Sequence, residues 1–240
     1  MKSHRSVRYK ELNRVPYKEA WDYQTALHQE LIERKLKNRK ASPLEPVHHY
    51  LLLCEHNPVY TLGKSGSMDH LLLSEEELES STFEFFKINR GGDITYHGPG
   101  QITGYPIFDL DDFFTDVHKY VRYLEEVVIR TIGHFGIKGE RIKDFTGVWV
   151  KPEQREGPYR KICAIGVHLS RWVTMHGFAL NVHPNLQHFN NIIPCGITDE
   201  NKVVTSMEKE TGCNITMTEV KHLLRKNFAE LFEYTYSSEY

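Results

Sequence analysis

Apolar residues recur at helical spacing in some stretches of the chain and in short continuous or alternating runs between them. Pro16 stands where a helix can start, and Tyr17, Ala20, Gln24, Leu27 and Leu31 follow at intervals of three and four, which predicts a helix over about 16–37. Val117, Val121, Leu124, Val128, Ile132 and Phe135 make one apolar stripe ended by Gly136, a second helix. Thr216 with Glu219 caps a last amphipathic helix carrying Val220, Leu223, Leu224 and Leu231, and Ser74 with Glu77 forms a capping box for a short one. Between them, 48–63 reads as two buried strands around a turn at Asn57-Pro58, and Phe83–Ile88 as another. Four strand-like runs follow near 138–142, 146–151, 160–169 and 172–182, with the polar loop 151–160 as a hairpin connection. Pro99 and Gly100 fit a type II turn, across which Ile94–His97 and Ile102–Leu110 are expected to pair. Helices flank grouped strands rather than alternating with them. The expectation is therefore an α+β fold, a mixed β-sheet with flanking helices, forming one domain over residues 1–240.

Composition narrows the classes. A chain of 240 residues with 40% hydrophobic and 26% charged residues can bury a sizeable core. Its net charge of −2 supplies no global field for nucleic acid or anionic lipid, so neither is expected as a partner. The basic run 33–40 lacks interleaved aromatics and reads as a solvated helix end. No run approaches the ~18 apolar residues of a membrane span, and the amino terminus lacks the apolar core of a signal peptide. Four cysteines without a CxxC pair fit a reducing, cytoplasmic setting.

Three places concentrate chemistry. Residues 90–101, RGGDITYHGPGQ, put four glycines around a Tyr-His pair, as where backbone must turn tightly or approach a ligand. Cys195 lies between Pro194 and Gly196, a bend with a free backbone N–H after the thiol; it reads either as a nucleophile or as a small buried hydrophobe. Lys161 enters an apolar strand, as a solvent-facing strand end or, beside a thiol, as a group that stabilises thiolate or accepts its proton. His176-Gly177 is a second histidine-glycine step. His176, His183 and His188 match no familiar zinc spacing, and there is no P-loop or dinucleotide fingerprint, so neither a metal nor a cofactor is expected.

Together these stretches resemble a known family. Arg90-Gly91-Gly92 and Thr95-Tyr96-His97-Gly98-Pro99-Gly100-Gln101, then Tyr105-Pro106 and Asp109-Leu110, look like the signature of the lipoyl(octanoyl) transferases. Lys161 with Ala164-Ile165-Gly166, His176 through Asn181, and Pro194-Cys195-Gly196 match the later blocks in order, so the resemblance spans roughly 48–200. It implies the fold of the biotin/lipoate ligase catalytic domain, with Cys195 as the acyl-accepting nucleophile and Lys161 as its activator. Substrate contacts would come from Arg90, Gly91, Gly92, Asp93, Ile94, Thr95, Tyr96 and His97, from Ala164, Ile165 and Gly166, and from Gly177, Phe178 and Ala179, with His176 in support. The implied reaction moves an octanoyl or lipoyl group from the thioester of octanoyl-acyl carrier protein to a lysine of a lipoyl domain. The implied acceptors are the E2 subunits of 2-oxoacid dehydrogenases and the glycine cleavage H protein. Alternatives of the same fold are an ATP-dependent lipoate or biotin ligase and a non-catalytic lipoyl-domain-binding module.

Two departures stand out: Cys163 where a small residue such as alanine is expected, and a long 151–160 loop. Strand alternation predicts that Cys163 shares Lys161's face, where burial would leave its thiol inert. Arg141, Lys143, Lys151, Arg155 and Arg160 form a candidate basic patch for acidic carrier and lipoyl domains.

Overall fold

The computed structural model describes residues 5–40, 43, 46–152, 157–193 and 202–237. Twelve strands and five α-helices are found among them, in the order β1 Ser6–Val15, α1 Tyr17–Asn38, β2 His49–His56, β3 Val59–Leu62, α2 Glu75–Ser80, β4 Glu84–Lys87, β5 Ile94–His97, β6 Gln101–Ile107. The chain continues through α3 Val117–Gly133, β7 Gly139–Ile142, β8 Phe145–Val150, β9 Tyr159–Ser170, β10 Val173–Asn181, β11 Lys202–Val204, α4 Met207–Thr211, α5 Met217–Phe232 and β12 Thr235–Tyr236. The mixed sheet and its flanking helices are those the hydrophobic pattern predicts.

Nine of the strands form one sheet in the order β12-β1-β2-β6-β10-β9-β8-β7, with β11 beside β9. Alternation along β2 shows how its two faces are covered. Leu51 and Leu53 turn toward the cluster that holds α3 and α5 through Leu124, Val128, Leu224 and Phe228. Tyr50, Leu52 and Cys54 turn toward Ala20, Leu27 and Leu31 of α1. The stripe on α3 is rotated from the expected one: Val117 is exposed, while Tyr120, Val127 and Thr131 join the buried face. β3, β4 and β5 form a second, three-stranded sheet, packed by Tyr60, Leu62, Tyr96 and Phe189.

The type II turn is present, with Gln101 N–H donating to Gly98 O at 3.2 Å and Gly100 at φ +82°, where glycine is favoured. The expected hairpin across it is not. β5 pairs with β3 in the small sheet, whereas β6 pairs with β2 and β10 in the large one. The turn therefore hands the chain from one sheet to the other, and so does the Asn57-Pro58 turn between β2 and β3.

β1 goes unseen in the sequence because its middle is polar: only Val7, Tyr9 and Val15 are buried. It is held by parallel pairing to β2 and β12, a long-range partnership that local pattern cannot report. Among the described residues no helix is long and apolar enough to cross a membrane.

Candidate active site

The site is built where the two sheets meet and where β9 changes neighbours. On one edge β9 pairs with β8. On the other it pairs with β10 from Cys163 onward, but with β11 over Tyr159–Lys161. Lys161 thus stands at a fork between β10 and β11. Its carbonyl accepts from Thr205 N–H at 3.0 Å, and its Nζ lies 5.0 Å from the centroid of the Trp149 ring.

Above this fork lies a cavity of about 460 Å³, within the range of small-molecule pockets. Lys161, Ala164, Ile165 and Gly166 line it from β9, and His176, Gly177, Phe178 and Ala179 from β10. Arg90, Gly92, Asp93, Ile94, Thr95 and His97 close it from the small-sheet side. Sequence reasoning therefore named most of the wall. Two of its expected contact residues lie elsewhere. Gly91 instead donates its N–H to Val167 O at 2.9 Å. Tyr96 packs with Tyr60 and Phe189, its hydroxyl hydrogen-bonded to His188 Nδ1 at 2.8 Å. Of the four glycines in 90–101, only Gly92 lines the cavity; Gly98 and Gly100 serve the turn.

Other lining residues were not foreseen: Tyr17, Ser65, His70, Tyr105, Asp144 in the β7–β8 turn, and Phe145 and Thr146 at the start of β8. Tyr17 reads from spacing as a helix core position, and the fold alone brings its ring parallel to His97, with centroids 5.9 Å apart. Tyr105 did carry a signal, since it belongs to the Tyr-Pro pair of the signature.

Cys195 and its neighbours Pro194 and Gly196 lie outside the described residues. The described chain reaches Ile193, whose N–H donates to His70 O at 2.8 Å, and resumes at Lys202. A second cavity of about 400 Å³ is lined by Trp149, Lys161, Ile192 and Lys202, so both approaches to that run border on Lys161.

The structure corrects the placement of Cys163. Val148 pairs with Cys163 and Trp149 with Lys161, so β9 carries one extra residue, a β-bulge at Ile162. The bulge shifts the alternation: Lys161 and Ala164 line the cavity, while Ile162 and Cys163 both join the α3–α5 core. Burial pushes the Cys163 thiol pKa far up, which leaves it protonated. Gly147 sits beside the bulge at φ +127°, where a Cβ would come 2.5 Å from Cys163 O and 2.9 Å from Lys161 Cε.

Three buried histidines at and behind the cavity wall, His56, His97 and His176, are neutral by environment. Gln101 Nε2 donates to Tyr96 O and Asn181 Oδ1, so its Oε1 must accept the 2.8 Å bond from His97 Nδ1–H. Burial, then His56, lowers the His97 pKa to about 3. His176 pairs Nε2 with Asn89 Oδ1 at 2.7 Å; burial, then Arg90, lowers it to about 3. His56 donates from Nδ1 to Val15 O and accepts at Nε2 from the Tyr105 hydroxyl, with a pKa lowered by burial to about 4. Arg90 is anchored on Thr61, its Nη2 donating to the carbonyl at 2.6 Å and to Oγ1 at 3.1 Å. From Gln101 the network continues: Asn181 Nδ2 donates to Thr205 O, and Thr205 N–H to Lys161 O. The wall around 97–101 is thereby locked to the Lys161 fork.

Two of the five residues of the expected basic patch are engaged in ion pairs. Arg141 pairs with Glu125 at 3.0 Å and Glu126 at 2.6 Å, and Arg160 with Glu210 at 2.7 Å. Arg155 lies outside the described residues.

The mixed sheet, its flanking helices and the cavity at the strand fork fit the fold expected from the sequence, and comparison with known proteins gives the family. The lipoyl protein ligase A/B catalytic domain matches residues 16–229, and the chain belongs to that family. An octanoyltransferase of Cytophaga hutchinsonii is 53% identical over 233 residues, covering 96% of this chain and 94% of the relative. One of Christiangramia forsetii is 54% identical over 231 residues, covering 95% and 97%. Among solved structures, a putative lipoate protein ligase from T. acidophilum has a TM-score of 0.66 at 14% identity, covering 98% of this chain and 88% of that one. A lipoate-protein ligase A bound with ATP has a TM-score of 0.67 at 14% identity, with the same coverage of 98% and 88%. At that identity the likeness is one of fold, and it is the lipoate-ligase fold that the signature implies.

Proposed function

We propose that this protein is an octanoyltransferase that works through an acyl-cysteine. It takes the octanoyl group from octanoyl-acyl carrier protein onto Cys195. It then passes that group to the acceptor lysine of a lipoyl domain, in E2 subunits of 2-oxoacid dehydrogenases or the glycine cleavage H protein. This is the entry step of protein lipoylation. The observation that carries the reading is identity above 50% to octanoyltransferases along nearly the whole chain.

The residues suit the chemistry. Lys161 takes the thiol proton of Cys195, and the thiolate attacks the donor's carbonyl carbon. The bond from carbon to the carrier sulfur breaks, and the carrier leaves as a thiol with the proton Lys161 returns. One thioester replaces another, so the step is close to neutral in energy. The acceptor amine then attacks the acyl-cysteine, the bond to Cys195 sulfur breaks, and the amide formed makes the transfer downhill. Thiolate is a strong nucleophile in the first half and a good leaving group in the second. The cavity walls from 92–95, His97, 164–166 and 177–179 hold the acyl chain, and the imidazoles of His97 and His176 stay neutral beside it.

The test is transfer from octanoyl-acyl carrier protein to an apo lipoyl domain with no nucleotide present. Octanoyl-lysine should form without ATP. Product that appears only with free octanoate and ATP would make the protein a ligase instead.

A further inference from the structure

The cavity holds a histidine–carboxylate pair that the reaction above leaves unused. His70 ends a short 3-10 turn, Met68–His70, and its Nδ1 lies 2.5 Å from Asp93 Oδ2. Asp93 is buried, and its other oxygen accepts from Ile94 N–H at 2.7 Å. A carboxylate so fixed makes Nδ1 the donor and leaves the lone pair on Nε2. The imidazole is 27% exposed, so it can be reached from solution, and it lines the same cavity as Lys161. Its turn is also stitched to the chain that leads toward Cys195. Ile193 N–H donates to His70 O at 2.8 Å, and Leu72 N–H to Asn191 O at 2.9 Å.

The second transfer has a proton to place. An acceptor lysine has a pKa of ~10.4 and arrives as an ammonium, which cannot attack. On becoming an amide nitrogen it loses two protons. One returns to the sulfur of Cys195 as the carbon–sulfur bond breaks, by way of Lys161, which restores the thiol. The other needs a second acceptor.

We propose that His70 is a further catalytic residue. Its Nε2 takes the first proton of the acceptor ammonium and later releases it to solvent, with Asp93 as the positioning residue that holds tautomer and ring. This rests on the acyl-cysteine reading. The freed amine attacks the acyl carbonyl, and the electron pair of the broken bond stays on sulfur, so protons and electrons balance without a further reactant.

Single-turnover measurements separate the two readings. The enzyme is acylated with the octanoyl thioester of N-acetylcysteamine. The acyl-enzyme is then mixed either with an apo lipoyl domain or with hydroxylamine, an amine largely unprotonated at neutral pH. In His70→Gln, acylation and release to hydroxylamine should run at wild-type rates, while transfer to the lysine falls by about 10²-fold. Asp93→Asn should slow the lysine arm more than the hydroxylamine arm, by a smaller factor than His70→Gln. Wild-type lysine transfer in His70→Gln would overturn the proposal, as would equal slowing of all three rates, which marks a structural role. A wild-type enzyme that forms no acyl adduct would instead refute the acyl-cysteine reading and take this proposal with it.

Discussion

Lys161 is held by three separate devices: its carbonyl by Thr205, its Nζ above the Trp149 ring, and its stem by the space at Gly147. Once it has taken the thiol proton, an amine so placed is a cation that lowers the cost of a thiolate nearby, as the proposed reaction needs. Lys161→Ala is expected to cut acyl transfer at pH 7 by about 10²-fold or more, with partial recovery toward pH ~8.5, where a free thiol ionises unaided. Wild-type turnover of that variant at pH 7 would remove Lys161 from the chemistry. The buried histidines make a second statement at this scale. His56, His97 and His176 have folded pKa values lowered to about 4, 3 and 3, from an ordinary ~6.5. Between those values the unfolded chain binds more protons than the folded one. Their neutral-state stability is therefore complete above ~6.5 and is lost as pH falls toward 4, at about 1.4 kcal/mol per histidine per pH unit. The urea midpoint should drop steeply between pH 7 and pH 5 with little change in m, and a flat profile would contradict three neutral imidazoles.

Strand β9 decides which of its side chains reach the cavity, and it does so through the bulge at Ile162. Alternation alone puts Cys163 beside Lys161; one extra residue puts it in the core instead. Nothing in the apolar pattern of 160–169 encodes that shift. The one sequence signal is Gly147 inside the neighbouring strand, since a strand glycine often marks a bulge or close backbone approach. Gly147→Ala would place a Cβ against Cys163 O in a backbone conformation that alanine avoids. It is expected to lose about 1–3 kcal/mol in denaturant unfolding and to lower acyl transfer further by displacing Lys161. An alanine variant with unchanged stability and rate would show that the close packing at the bulge is not needed. The turn at 98–101 teaches the same lesson from the other side. Its type is readable from Pro99-Gly100, but not that its two strands belong to different sheets.

At the scale of the molecule, helices α1, α3 and α5, most strands and most of the cavity wall were legible, because each rests on local spacing or on a contiguous signature. What was not legible depends on distant partners: the polar strand β1, Tyr17 against His97, and His70 against Asp93. Charge pairing depends on distant partners too. Arg141 and Arg160 cluster in sequence, yet acidic residues on α3 and α4 pair with them. Lys202 and Lys209, which line the second cavity beside Lys161, are the better candidates to meet an acidic carrier domain. Reversing both to glutamate should raise the apparent KM for octanoyl-acyl carrier protein several-fold at low salt and flatten its salt dependence, with a smaller effect on kcat. An unchanged KM at low salt would dispose of this surface.

The central claim is that the acyl group rests on Cys195 during transfer, and mapping the adduct tests it most directly. The wild-type protein is incubated with octanoyl-acyl carrier protein, without nucleotide or acceptor, then digested at mildly acidic pH and analysed by peptide mass spectrometry. One octanoyl group should appear on the peptide containing Cys195, should persist in Cys163→Ala, and should vanish in Cys195→Ala. An adduct on Cys163, or full transfer by Cys195→Ala without any adduct, would contradict the account.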